Sequence, residues 1–336
     1  MSKSPGEFHL IERLLKRLGP GRRAILGPGD DCAILPPARA RQLLTIDSIV
    51  EDVHFKLAWG RPEALGARAL TVNLSDIAAM GGKPTVCVVN LSVRDGLGLR
   101  FFDRMYEGLR KAAARAEVEV VGGNITRAGA LAITIALLGE VRGAALRRDS
   151  ARPGDTIYVT GTLGDAAAGL RILSGRLRIL SGRLRARAAA RKFLVSRFLQ
   201  PTARLKAGLA LARIKPAPSA VDLSDGLWQD LGHILERSGA GAEIDAGALP
   251  LSAAYRATIG DDPALALGGG EDYELLFCLR HAVAAPALTR RLGVRVSRIG
   301  RITSSGTAVL LDTRGSVRGG APPPQGWDQL RSRLSG

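Results

Sequence analysis

Apolar residues recur along this chain at two periods, and their alternation predicts helices and strands in turn. Phe8, Ile11, Leu14, Leu15 and Leu18 fall three or four apart, one face of a helix that Gly19-Pro20 ends. A glycine turn, GPGDDCAIL, leads to a short strand, LLTID, at 43–47. Residues 62–80 read as a helix that Pro62 opens and Gly81-Gly82 closes. TVCVVNLSV (85–93) alternates as a strand, and 98–116 places Phe101, Met105, Leu109 and Ala112 on one helical face. EVEVVGGN (117–124) and ALAITIALLGEV (130–141) are two further predicted strands. This first part is a mixed α/β unit rather than a parallel βαβ repeat.

The stretch 143–155, GAALRRDSARPGD, is polar, Arg-rich and punctuated by Pro153-Gly154. It predicts a boundary between an N-terminal domain, 1–144, and a C-terminal domain, 145–336. Beyond it, TIYVTG (156–161) runs into a glycine turn and the helix GDAAAGL. Helices over 190–200, 203–213 and 226–238 and another from 282 are expected, with strands ending at Asp222, near 242–245, over 272–279 and over 294–299. The tail APPPQGWDQL reads as an extended, lid-like segment. The heptamer RILSGRL at 171–177 recurs at 178–184, as slippage in a tolerant surface loop or helix end would leave it.

Composition narrows the class. A 46% hydrophobic content over 336 residues suits two globular domains. No apolar run approaches the roughly 18–20 residues of a membrane span. The start lacks a signal-peptide pattern, so the cytoplasm is the default compartment. Cys32, Cys87 and Cys278 are scattered without metal-type spacing and read as reduced thiols. The formal charge of +17 favours anionic partners, yet Arg171 to Lys192 alone holds eight basic residues and no acid. Nucleic acid is disfavoured as a partner. Aromatics are only 4% of the chain, and none is interleaved with the basic residues of that segment.

Ten acidic or amide residues sit beside glycines or at element ends: Asp30, Asp31, Asp47, Asn73, Asp76, Asn124, Asp222, Asp225, Glu271 and Asp272. Each alone is consistent with a cap or a turn. Together they are poor core material but good ligands for a hard cation, since magnesium takes carboxylate oxygens, waters and substrate phosphates. Two carboxylates ~4 Å apart repel by about 4 kcal/mol at an effective dielectric of 20, so converging acids imply a divalent ion. No Walker A or protein-kinase signature exists. GTLGDAAAG at 161–169 fails the dinucleotide spacing, but its glycine turn is a weak candidate for offering N–H groups to a phosphate.

GEFHLIERL, GDDCAIL, TIDSIVEDVHF, NLSDIAAMGGKPT, VVGGN, RRDSARPGD, TGTLGD, QPTAR, DLSDGL, GGEDYELLF and IGRI stand in this order from Gly6 onward. With the Trp327-bearing tail, this set resembles the thiamine-monophosphate kinase family, of the aminoimidazole ribonucleotide synthetase-like superfamily. The resemblance implies a two-domain α/β (mixed α+β) fold whose N-terminal domain forms a shared sheet in a homodimer. It also implies magnesium-dependent, in-line transfer of the γ-phosphoryl of ATP to thiamine monophosphate. On that basis Asp30, Asp31, Thr45, Ile46, Asp47, Asp76, Asn124, Asp222 and Asp225 would hold Mg2+. Tyr106, Gly123, Asn124, Arg148 and Ser224 would contact ATP, with Asp47, Asp222 and Arg148 catalytic. His54, Glu271 and Trp327 would contact thiamine monophosphate. Asn124 stands where the family commonly has Asp, which leaves the number of magnesium ions open. Which of Asp30 and Asp31, and which of Arg147 and Arg148, makes the contact is also open. Another ATP-dependent enzyme of the superfamily, or an anion- or RNA-binding paralogue, is the competing reading.

Overall fold

The computed structural model describes residues 7–18, 21–28, 32–177 and 184–312. Asp30, Asp31, Trp327, the tail and half of the duplicated segment lie outside the described residues. The chain divides into two compact units, one of residues 1–77 and 82–142, the other of 78–81 and 143–336.

The first unit contains α1 (Glu7–Leu18), β1 (Arg41–Val50), most of α2 (Pro62–Ala79), β2 (Lys83–Val93), α3 (Leu99–Ala116), β3 (Glu119–Arg127) and β4 (Ala132–Val141). Its sheet runs β1-β4-β2-β3, with β2 and β3 parallel and β4 antiparallel to both β1 and β2. The one parallel pair is joined by the crossover helix α3, as parallel strands require. Strict alternation sorts β4 into a buried row, Ile133, Ile135, Leu137 and Val141, and a half-buried row between. The buried row meets α2, which lies close enough to Gly139 that a Cβ there would touch Ile77. On the opposite face Leu44, Ile46 and Val88 are 73%, 65% and 41% exposed.

Two carboxylates fasten the N-terminal arm. Asp103 of α3, itself buried, accepts from Arg13 Nε at 2.6 Å and Arg17 Nε at 2.9 Å on α1. Glu119 accepts from the backbone N–H groups of Arg22 at 2.6 Å and Arg23 at 2.5 Å. Past them, Leu26 and Ile34 pair in an antiparallel bridge.

The second unit contains β5 (Thr156–Thr160), α4 (Asp165–Leu173), α5 (Leu184–Leu199), α6 (Leu205–Leu211), β6 (Ser219–Asp222), α7 (Leu227–Ser238), β7 (Gly241–Asp245), α8 (Ala253–Ile259), α9 (Ala264–Gly268), β8 (Leu275–Leu279), α10 (Ala285–Leu292), β9 (Val296–Thr303) and β10 (Ala308–Leu311). Its sheet runs β10-β7-β9-β5-β8-β6, antiparallel except for β10 beside β7. Every residue of β5 and β8 is buried, because apolar clusters cover both faces. Ile157, Val159, Leu276 and Cys278 pack into one cluster with α4 and α7. Tyr158, Leu275, Phe277 and Leu279 pack into the other, with α6, α10 and Ala78-Ala79.

The expected strand over 272–279 is a correction: it begins only at Leu275. Glu271 and Tyr273 have φ of 73° and 50°, outside the strand region. The helices α8 and α9 and the strand β10 were not expected.

Candidate functional site

In the first unit Thr45, Asp47 and Asp76 lie on the helix side of the sheet. Thr45 Oγ1 donates to Asp76 Oδ2 at 2.5 Å, tying β1 to α2. Strand alternation puts Asp47 on the same face as Thr45, one pleat further on, and it is exposed. Asn73, one turn before Asp76, is fully buried and donates to the carbonyl of Ala69, so it belongs to the helix interior. His54 is half-buried, and its Nδ1 accepts from the Val50 N–H at 3.0 Å, which leaves the ring proton on Nε2. Tyr106 is buried in α3, and burial raises its phenol pKa.

Asn124 is not brought to Asp47. The register aligns Ser48, Thr134, Asn90 and Asn124 across all four strands, on the face opposite Asp47. Asn124 Nδ2 donates to Asn90 Oδ1 and Thr126 Oγ1, both at 2.9 Å, and Ser48 and Thr134 share a 2.7 Å hydrogen bond. Gly123 does face the helix side: a Cβ there would lie 2.2 Å from the Val89 carbonyl oxygen, so only glycine fits.

In the second unit two loops meet. The DLSDG loop leaves β6, and the GGGEDYE loop enters β8 beside it. The N–H of Glu271 donates to the Ser224 carbonyl, that of Tyr273 to Leu223, and that of Leu223 to Glu274, each at 2.8 Å. Gly270 permits this approach, since a Cβ would lie 2.3 Å from the Ser224 oxygen. Ser224, Asp225 and Glu271 are thereby neighbours. Gly226 has φ of 119°, a conformation open to glycine alone, and launches α7.

Asp230, which sequence reasoning passed over, is the buried centre of this loop. Its Oδ2 accepts the N–H groups of Asp225 and Gly226, both at 3.1 Å. Burial, with the charges of Asp222 and Asp225 added, pushes its carboxyl up to about 8. Burial likewise raises Asp225, and Glu271 adds to the rise, while His233 and Arg148 oppose it. Asp225, Asp230 and His233 each bring a ligand atom to within 4.8 Å of one another. Burial first and crowding second disfavour the charged form of these acids, and a hard cation nearby would offset both.

Of the paired arginines, Arg147 is held by Asp149. Arg148 is exposed and acts on Asp225, while its carbonyl accepts from Ser238 Oγ at 2.8 Å and Ser219 Oγ at 3.2 Å.

The N–H groups of Gly161, Leu163 and Gly164 in the GTLGD turn are spent within the chain, a second correction: the first two donate to the Arg295 and Pro250 carbonyls at 2.8 and 3.0 Å. Asp272, fully buried, accepts from Gly164 N at 2.7 Å and Ala166 N at 3.3 Å, and so caps α4 with the chain's own carboxylate. Burial pushes Asp272 up to about 8 against the pull of Arg197 and those donors. It is a cap rather than a cation ligand.

Residues 29–141 match the family model of the AIR synthase related protein N-terminal domain, and residues 152–312 match that of its C-terminal domain. The thiamine-monophosphate kinase of Salmonella typhimurium is 38% identical over 329 residues, 96% of each chain. The chain belongs to the thiamine-monophosphate kinase family. A crystal structure from the same family, from Stenotrophomonas maltophilia K279a, superposes with a TM-score of 0.80 at 38% identity, covering 93% of this chain and 98% of that one. Another member, AaThiL, has been solved in complex with AMPPCP and TMP. It matches with a TM-score of 0.73 at 34% identity over 96% of both chains. No helix among the described residues is long and apolar enough to cross a membrane.

Proposed function

We propose that this chain transfers the γ-phosphoryl group of ATP to thiamine monophosphate in one in-line step, giving thiamine diphosphate and ADP. The observation that carries this reading is the match to thiamine-monophosphate kinases over nearly the whole length of both chains. A family member solved with AMPPCP and TMP together supports a ternary complex of the same kind.

The residue roles are those the family resemblance implies, and position and chemistry support several of them. Thr45, the backbone of Ile46, Asp47 and Asp76 in the first unit, and Asp222 and Asp225 in the second, are oxygen donors suited to Mg2+. Asp30 and Asp31 extend the set by resemblance. Bound magnesium would neutralise charge on the phosphates. Arg148 is a fixed cation for phosphoryl oxygens, anchored through its backbone by two serine hydroxyls. Gly123 on β3 and Ser224 in the DLSDG loop are close-packed points where backbone could approach a nucleotide, and Tyr106 of α3 joins them by resemblance. His54, with Nε2–H as donor, and Glu271, a carboxylate beside Ser224, are assigned with Trp327 to thiamine monophosphate. Asn124 fits neither group within one chain, since it faces the other side of the sheet.

That other face supports a homodimer. Leu44, Ile46 and Val88 form an exposed apolar row beside the polar row Ser48–Thr134–Asn90–Asn124, a surface that a second copy would cover. Cys32, Cys87 and Cys278 are all free thiols, in keeping with a cytoplasmic setting.

The test is a chromatographic assay with ATP, Mg2+ and thiamine monophosphate. Thiamine diphosphate and ADP in equal amounts, lost on chelation, are the expected products. Folded protein that makes neither would overturn the reading.

A further inference from the structure

The residues just past Glu271 carry a buried ionic node that the assigned roles leave unused. Glu274 is fully buried, and both its carboxylate oxygens are engaged. Oε1 accepts from Arg197 Nη2 at 2.8 Å and from Arg204 Nη2. Oε2 accepts from Arg204 Nε at 2.6 Å and Thr160 Oγ1 at 2.7 Å. Thr160 Oγ1 also receives the N–H of Leu275 at 2.8 Å, so one hydroxyl locks the Glu274 side chain and the following backbone. Gly161 leaves room for the node: a Cβ there would lie 2.1 Å from a Glu274 carboxylate oxygen.

Stability alone is a weak reason for such a node. A buried ion pair is often replaceable by apolar groups of similar volume with no loss, because desolvation cancels much of the attraction. What the node adds is geometry. Glu271 and Tyr273, neither a glycine, both hold the left-handed conformation. Such a conformation is costly for a residue with a Cβ and persists only where its surroundings over-determine it. The surroundings here are explicit. Asp272 is fixed to the α4 N-terminus, Glu274 to two arginines and a threonine, and the Glu271 and Tyr273 N–H groups to Ser224 and Leu223. Alternate residues, 272 and 274, are thus tied into the interior. Glu271, half-buried, is left beside the DLSDG loop, its N–H on the Ser224 carbonyl.

We propose that Glu274, with Thr160, Arg197 and Arg204, is a positioning residue that holds Glu271 in the strained conformation from which it meets thiamine monophosphate. The inference rests on the reaction proposed above. It predicts a specificity effect: loosening the node weakens the phosphate acceptor's binding and leaves the ATP side intact.

The experiment uses the full chain and three variants, Thr160→Val, Thr160→Ser and Arg204→Lys, with KM for each substrate and kcat measured separately and folding followed by near-UV circular dichroism. Thr160→Val keeps the shape and removes the hydroxyl, Thr160→Ser restores the hydroxyl, and Arg204→Lys keeps the charge and loses the planar fork. The expected result for Thr160→Val and Arg204→Lys is a rise of about 10-fold in KM for thiamine monophosphate, with kcat and KM for ATP within about twofold. Thr160→Ser should match wild type. Folded Thr160→Val and Arg204→Lys with unchanged KM for thiamine monophosphate would overturn the positioning role. Equal losses in kcat and both KM values, or failure of both variants to fold, would also overturn it by assigning the node to stability alone. A wild-type chain that forms no thiamine diphosphate would overturn the assigned reaction itself, a result distinct from all of these.

Discussion

A carboxylate clasped by two guanidinium groups resists protonation, and Asp103 shows what that does for the N-terminal arm. The hydrogen bond from Arg13 comes first among the causes that hold its carboxyl down to about 2, with Arg17 adding to it against burial. Its folded value lies below its unfolded one, so the stabilisation is full above the unfolded value near 4 and is lost as pH falls through about 2. We expect wild type to lose about 1–2 kcal/mol of stability across that window, a size reduced by the partial exposure of both arginines. Asp103→Asn should flatten that part of the curve, as urea titrations from pH 5 to pH 2 would read. Asp47 offers a different test, because it is exposed and its strand does not depend on it for packing. Asp47→Asn should leave the melting temperature in place and cut turnover by more than about 100-fold, beyond the 10–100-fold usual for outer-shell partners of a metal. Full activity in that variant would remove Asp47 from the magnesium set. The acids that advertised themselves, such as Asp225 before Gly226, did so through local motifs. Asp230 and Glu274 gave no such sign: Asp230 matters because it is buried under the N–H groups of its own loop, and Glu274 because of a partner brought from elsewhere. Glu274 lies 114 residues from Thr160.

Helices α2 and α3 cross at a pair of glycines. A Cβ on Gly66 would lie 1.9 Å from the Met105 carbonyl oxygen, and one on Gly108 1.9 Å from that of Glu63, so backbone meets backbone from both sides. Gly108→Ala should therefore destabilise the fold by about 1–3 kcal/mol despite its better helix propensity, a drop that thermal unfolding would reveal. This crossing positions Asp76, which rides on α2, and an upward shift in the magnesium requirement should accompany the loss. Long amphipathic elements such as α3 were legible because periodicity survives over 18 residues. The five-residue α9 is too short for a period to register. The 272–274 stretch was misread for another reason. Its sequence alternates like a strand, but Asp272 is called to cap α4 and the backbone must turn through positive φ to deliver it.

Across the whole molecule, the exposed apolar row on the first unit's sheet is the feature that bears on assembly. On the homodimer reading, Leu44→Asp together with Ile46→Asp should convert a dimer to a monomer in sedimentation velocity. Their side chains point away from the helices, so the first unit should keep its fold. An unchanged sedimentation coefficient would place the interface elsewhere. The order of motifs made the family legible before any coordinate. The two-sided burial of β5 and β8 was not, because a fully apolar strand hides which helices cover it.

Residues 78–81 bear on how such a chain can be cut and inherited. They belong with the second unit although they lie deep in the first half of the sequence. Gly208 is open so that α6 can come within reach of Ala78, where a Cβ would lie 2.0 Å from its carbonyl oxygen, and the Met80 carbonyl accepts the N–H of Leu146. A fragment beginning at Gly143 would leave Leu146, Leu211 and their neighbours with a missing wall. The border between the two halves is a border in space and not in the gene. Shuffling, truncation or fusion at the evident linker would therefore break what it aims to preserve.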